Sequence, residues 1–283
     1  MQKGIGSAML LHKEDYEGIV RRDEVPGQIP SAARELYEMV CLLEGNVEYW
    51  IEDQHYRLGR GDVLLIPAGV MVSANLKPRG CVLVRYSVWM SQRFLAFLKL
   101  QDSEADYAFQ QALTQGKYMM RPSREAAAAL RARFEAVEAE NGSSRMNAEL
   151  CGKATLSLLV GELNRTVKEG GEGLLQKGQE NRLSPVLRYI HEKCTEPMTV
   201  ERLASAFSFS PSHLAHNFKK QLGISIYQYI LLRRLQIGRA AMLEGVPVRE
   251  AYQKCGFGDY AGFYRAFLKE YGMSPQQYKK KYQ

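Results

Sequence analysis

The chain lacks the features that would place it in a membrane, outside the cell or around a metal. No apolar run approaches the roughly 18 residues that a membrane-spanning helix needs. The opening MQKGIGSAMLLHKEDYEG holds too short an apolar stretch for a secretory leader. Five cysteines, at 41, 81, 151, 194 and 255, are odd in number and scattered, with no C-x-x-C pair. Neither a disulfide framework nor a zinc site is signalled. Cytoplasmic residence, no membrane partner, no metal and no cofactor are the resulting expectations.

Acidic residues are also scarce in one region. Residues 182–283 hold 16 Lys and Arg but 7 Asp and Glu, a net +9, whereas the other 181 residues hold 22 and 24, a net −2. All of the chain's excess positive charge lies in its last third. A basic block beside a near-neutral one points to a polyanion partner for that block.

Three zones separate by pattern. Residues 36–90 read as short apolar runs cut by Gly, Pro and Asn, with Val47, Tyr49 and Ile51 at period two and EDQ as a turn. Closely spaced short strands of this kind predict an antiparallel barrel or sandwich. From 91 the period becomes helical. PSREAAAALRARFEAVEAEN opens at Pro122-Ser123 and closes at Asn141-Gly142, and the next segment offers Leu150, Ala154, Leu158 and Val160 or Leu163 as an apolar stripe for its own domain or for a second copy. The glycine-rich 170–182 reads as a linker. Seven helix-length segments follow. The fold class expected is α+β in two domains: a β domain over 1–90 with a helical dimerisation region over 91–169, then an all-α domain over 183–283.

Inside the last domain a unit occurs twice. FSFSPSHLAHNFKKQLGIS and CGFGDYAGFYRAFLKEYGMSP share an outline, with Leu214 against Phe263, Phe218 against Phe267, Lys220 against Lys269 and Ser210 against Asp259. Each is the second half of a helix-turn-helix, at about 199–222 and 248–271, whose second helix enters a major groove. Leu203, Phe207, Phe209, Leu214 and Phe218 supply the buried side of the first; Ser212, His213, Ala215, His216 and Lys219 are left over. In the second, Phe257, Phe263 and Phe267 pack inward and Tyr260, Ala261, Tyr264, Arg265 and Lys269 do not. The helix predicted from Ser225 to Leu243 would span roughly 28 Å, close to the roughly 34 Å turn of B-DNA. One polypeptide could thus read two successive grooves of double-stranded DNA. Arg265, Tyr264, Tyr260, His216 and Ser212 are expected at base edges, and Lys219, Lys220, Lys269, Arg233 and Arg234 at phosphates.

Residues 184–283 resemble the DNA-binding domain of the AraC/XylS transcriptional regulators. The carriers are LASAFSFSPSHLAHNFKKQLGIS, the helix with Arg233-Arg234, and CGFGDYAGFYRAFLKEYGMSPQQYKK. Three departures stand out: His216 where the family often has arginine, Ser208 in the first turn instead of glycine, and Ala251-Tyr252 in place of an Ile-Ala pair. Gly45, YRLGRGD and LLIPAG resemble the cupin-like barrel that precedes this domain in many members. The resemblance implies a small-molecule effector in that barrel, a homodimer, and RNA polymerase as a partner if the protein is an activator. Strand alternation alone nominates Tyr37, Tyr49, Trp50, Arg85 and Tyr86 to line the effector site. A regulator without an effector, answering to a protein partner or to its own abundance, is the alternative.

Two enzymatic readings fit poorly. Metal-binding cupins bring histidines to both motifs. Here residues 44–49 contain none, PAGVMVSAN has Met71 and Val72 where one is expected, and His55 stands alone at a hairpin, where a surface role is expected. Alkyl capture by an activated cysteine needs a cationic or zinc setting, but Cys41 and Cys81 lie in apolar strand patterns and Cys255 in an apolar position of the second motif.

Overall fold

A computed structural model describes residues 15–23, 27–33, 35–76, 82–171 and 173–282. Eight strands come first: β1 (Tyr16–Asp23), β2 (Gly27–Ala33), β3 (Tyr37–Glu44), β4 (Val47–Ile51), β5 (Gln54–Leu58), β6 (Val63–Ile66), β7 (Met71–Leu76) and β8 (Leu83–Met90). Helices α1 (Gln92–Gln101) and α2 (Tyr107–Gln115), strand β9 (Met119–Met120), helices α3 (Arg124–Asn141) and α4 (Ala148–Glu169) and strand β10 (Leu175–Gln176) follow. The rest is helical: α5 (Ser184–Lys193), α6 (Val200–Ala206), α7 (Pro211–Leu222), α8 (Ile226–Leu243), α9 (Val248–Lys254), α10 (Tyr260–Tyr271) and α11 (Pro275–Tyr282).

The strands form two sheets, in the orders β1-β8-β3-β6-β9-β10 and β2-β7-β4-β5. They are not closed into a barrel. Among the described residues no ladder joins an edge strand of one sheet to an edge strand of the other. The expected barrel is therefore two facing sheets around one core, with β1 and β10 the edges of one and β2 and β5 the edges of the other among the described residues. The period-two alternation is compatible with either closure, since it fixes faces and not edges. Helix α3 opens on its Ser123 cap, packs over β1 and β8 with Leu130, Phe134 and Val137, and takes α4 on its other side. On α4 Leu156, Leu159, Val160, Leu163 and Val167 are buried, so Val160 and Leu163 of the expected stripe belong to the core of their own unit, while Leu150, Ala154 and Leu158 are exposed.

Residues 175–179 of the expected linker run against the first unit rather than free of it. Leu175 and Gln176 pair with Met120 and Met119, and Gln179 bridges His55. His55 itself is buried, with its ring tilted against that of Trp50 at a centroid distance of 5.2 Å, contrary to the surface role expected for it. The helical unit has two cores joined by α8. One gathers Leu187, Ile190, Leu203, Leu214, Phe218 and Tyr229; the other gathers Leu235, Met242, Phe263, Phe267, Tyr271 and Tyr278. Trp50 and Met71, from the β unit, complete the first of these clusters.

Candidate functional site

The repeat read in the sequence becomes two helices of equal length and equal finish. Helices α7 and α10 have 12 residues each and start 49 residues apart. Ser210 accepts a hydrogen bond from the His213 amide, and Asp259 from the Gly262 amide, so both helices are capped at N3. Both end on a left-handed glycine, Gly223 at φ 77° and Gly272 at φ 69°. Capping boxes Ser225–Gln228 and Ser274–Gln277 then start the helices that follow. The turns before the two helices are matched as well. Ser208, at φ 56°, adopts the left-handed conformation that Gly256 adopts at φ 83°, so the serine bears there a backbone strain that glycine would not. The second turn is one residue longer.

On α7, Leu214, Phe218 and Leu222 are buried, and Ser212, His213, Ala215, His216, Lys219 and Lys220 are exposed. On α10, Phe263, Phe267 and Tyr271 are buried, and Ala261, Tyr264, Arg265 and Lys269 are exposed. Tyr260 is half-buried, between Tyr252 and Tyr264. Tyr252, the residue that departs from the family's pair, lies on the rim of that core while Ala251 fills its floor. Eleven of the thirteen nominated DNA contacts therefore lie on two equivalent helices. Helix α8, with 18 residues and so roughly 27 Å long, joins the two halves of the unit.

The other two nominated residues are engaged elsewhere. Arg234 donates from Nε to the Cys194 carbonyl at 2.6 Å and from Nη2 to that of Glu196 at 2.9 Å, tying down the end of α5. Arg233 reaches across to the β4–β5 turn, with Nη1 at 3.2 Å from Glu52 Oε2. His191 stands on the far side of the same carboxylate, with Nδ1 at 3.2 Å, while its Nε2 lies 2.7 Å from the Tyr229 hydroxyl. Burial and the neighbouring Arg233 hold the His191 pKa down to about 3. The neutral ring this favours donates from Nδ1 to Glu52 and accepts from Tyr229. Burial also raises the Glu52 carboxyl, against the pull of Arg233 and of the Met71 amide that donates to it at 2.8 Å.

Only two of the five nominated effector residues come together. Arg85 of β8 donates to the Tyr49 hydroxyl of β4 across the space between the sheets, and both are buried. Tyr37 packs edge-on against Phe109 of α2, and Tyr86 stacks on Phe134 beneath α3, its hydroxyl pushed up to about 12 by burial and the nearby Glu135. Trp50 faces outward and donates from its indole to Gln221 of α7 at 3.1 Å. Ser87 and Trp89 share the Arg85 face of β8. Their Oγ and Nε1 atoms are buried and have no hydrogen-bond partner among the described residues. The R-x-S-x-W alternation in RYSVW could have found them, because polar side chains at period two in an otherwise apolar strand mark one face. Among the described residues no group of three or more His, Cys, Asp and Glu could hold a metal ion. Cys41 and Cys255 are core residues, with thiols pushed up to about 12 and about 11 by burial. Cys81 lies outside the described residues, as does most of the opening stretch read for a leader. No helix among the described residues is long and apolar enough to cross a membrane.

Two family models match parts of this chain. Residues 203–281 match a helix-turn-helix domain family, and residues 23–151 match the AraC-like ligand binding domain. A probable transcriptional regulator, LumQ of Photobacterium leiognathi, is 33% identical over 108 residues, which are 37% of this chain and 44% of LumQ. The uncharacterised HTH-type transcriptional regulator YpdC of Escherichia coli K12 is 24% identical over 86% of this chain and 81% of its own length. For three of the similar regulators, LumQ among them, the match spans less than half of the relative's length. Among solved structures, ToxT of Vibrio cholerae aligns over 94% of this chain and 98% of its own, at 12% identity and a TM-score of 0.38.

Proposed function

The chain belongs to the AraC family of transcriptional regulators, and from that premise we propose that it binds double-stranded DNA sequence-specifically, under the control of a small molecule held between its two sheets. The observation that carries the DNA half is the pair of matched, solvent-facing helices α7 and α10 on either side of α8. The helix that joins them, roughly 27 Å long, is of the order of one helical turn of DNA, a length that suits entry of both into grooves on one face. Arg265 is the side chain best suited to a bidentate contact with guanine; His216 can donate to a base edge, but one bond at a time. Lys219, Lys220 and Lys269 sit in the last turns of their helices, beside the groove walls, and suit phosphates. Arg233 and Arg234 act within the protein as they stand.

The effector half rests on the buried pair Arg85–Tyr49 with the unbonded donors of Ser87 and Trp89 on the same face. Buried polar atoms without partners cost free energy unless something satisfies them, and a polar ligand would do so. The working organisation is a sensing unit of sheets and helices up to about residue 169, a connecting segment over 170–182 and a DNA-binding unit over 183–283. Homodimer formation through the outward stripe of α4, recruitment of RNA polymerase as an activator, residence in the cytoplasm and the absence of enzymatic activity complete the reading. Thermal unfolding of the full chain against a panel of sugars, aromatic acids and fatty acids tests the effector. A ligand at a hundred times its Kd stabilises by about 2.7 kcal/mol, a rise of a few degrees, and an Arg85→Ala variant should lose that rise. A rise that survives in that variant would place the ligand elsewhere.

A further inference from the structure

Tyr252 departs from the family's pattern, and the structure gives its ring something to hold. Ala251 fills the floor of the second motif's core, so the larger residue beside it lies on the rim. Gln253 donates from Nε2 to the Tyr252 hydroxyl at 3.2 Å, which ties the outer end of the ring to its own helix. The ring meets that of Tyr260, the first residue of α10, edge-on at a centroid distance of 5.9 Å. Tyr260 lies in turn 6.1 Å from Tyr264. Three tyrosines thus form a ladder from α9 onto α10. It is half-buried at 252 and 260 and open at its tip, where Tyr264 is 38% exposed.

Helix geometry sets where that tip stands. Residues 260 and 264 are one turn apart and share a stripe that borders the buried one of Phe263 and Phe267. Arg265 follows Tyr264 at about 100° around the helix, and Ala261, one turn earlier, falls between these two directions. The first two turns of α10 therefore offer solvent a guanidinium on one side, a phenol ring on the other and a methyl group between them. The aromatic neighbours restrict Tyr264 before DNA arrives, which removes part of the side-chain ordering cost of binding.

An anchored, exposed ring beside a guanine reader suits an apolar group in the major groove. DNA offers one there, the C5-methyl of thymine. We infer that Tyr264 reads a thymine methyl and that Tyr252 and Tyr260 are positioning residues that hold it for this contact. The thymine lies within about two base steps of the guanine read by Arg265, because adjacent Cα atoms are about 3.8 Å apart and bases on a strand about 3.4 Å. With alanine at 252, as in the family's pair, Tyr260 would lose its outer support, so the preference belongs to this chain's departure from the pattern. This inference rests on the DNA-binding reading above.

The test starts from a duplex that the full chain selects out of a randomised pool. Each thymine is then replaced in turn by deoxyuridine, which removes the methyl group and nothing else. One replacement, within about two base steps of the position relaxed in Arg265→Ala, should weaken binding about four-fold at an unchanged salt slope, the transfer value of one buried methyl. Tyr264→Ala, at an exposed position, should bind the thymine and deoxyuridine duplexes equally, and Tyr264→Phe should discriminate as the wild type does. Tyr252→Ala should narrow the ratio, whereas Tyr252→Phe, which keeps the ring, should retain it. If no replacement near that guanine matters, or if Tyr264→Ala still discriminates, the thymine contact is overturned and the regulator reading stands. Full discrimination in Tyr252→Ala overturns the positioning role. Failure of the wild type to select any duplex overturns the regulator reading and this inference with it.

Discussion

Gly256 is the position where the double-motif architecture is most exposed to a single methyl group. It sits at φ 83°, where a Cβ costs roughly 1–2 kcal/mol. In addition, that Cβ would lie 2.4 Å from the carbonyl oxygen of Thr195, 2.7 Å from its Cα and 2.9 Å from its carbonyl carbon. These are backbone atoms of the α5–α6 connection and have no rotamer to escape into. Relief requires the two helix-turn-helix units to part by the better part of an ångström, an overpacking cost of about 1–3 kcal/mol. Gly256→Ala should therefore cost about 3 kcal/mol in all. Gly272→Ala is the control, since that glycine is also left-handed, at φ 69°, but has nothing within 4 Å of its would-be Cβ. It should cost about 1 kcal/mol, less the few tenths gained by stiffening the unfolded chain. Amide exchange of α9 and α10 in the full chain reads both. The expected acceleration is about a hundred-fold for Gly256→Ala and less than ten-fold for Gly272→Ala. Equal effects would refute the steric argument and, with it, the close approach of the two motifs.

Other consequences are simpler. Arg265→Ala should cost about 1–3 kcal/mol of specific DNA binding and relax preference at one base position, whereas Lys219→Ala should weaken binding to all duplexes alike and make the salt slope shallower by about one. In a Cys81→Ser background, a thiol reagent at neutral pH should modify Cys151, which is exposed, well before Cys41, Cys194 or Cys255, which are buried and whose thiols are all raised by burial. Modification of Cys255 at the same rate would mean that the second motif opens far more often than its packing implies.

The helical unit was largely legible because its signals are local. Caps at Ser210 and Asp259, left-handed glycines at 223 and 272 and the apolar spacing 214/218 and 263/267 each depend on residues within one or two turns. The β unit was legible only to its faces. Alternation placed Tyr49 and Trp50 on opposite sides of β4 but carried no mark of which side met Arg85 and which met α7. Edge pairing, and so the open sandwich in place of a barrel, depends on contacts between strands far apart in sequence. The same holds for Arg233. Its charge and its place in the basic unit suggested a phosphate, but its partner Glu52 lies 181 residues away in a turn that reads as an ordinary EDQ. The glycine-rich stretch after α4 is pinned by two short pairings, through Leu175–Gln176 and Gln179, that are too brief to leave a periodic signature.

The central claim is that one chain reads two successive grooves through α7 and α10. Selection of a bound duplex from a randomised pool, followed by hydroxyl-radical footprinting with the full chain, tests it directly. The account predicts two protected patches per chain on the same DNA face, about one helical turn apart, with protection weakened in one patch by Arg265→Ala and unchanged in the other. A single patch that no substitution on α10 alters would contradict it.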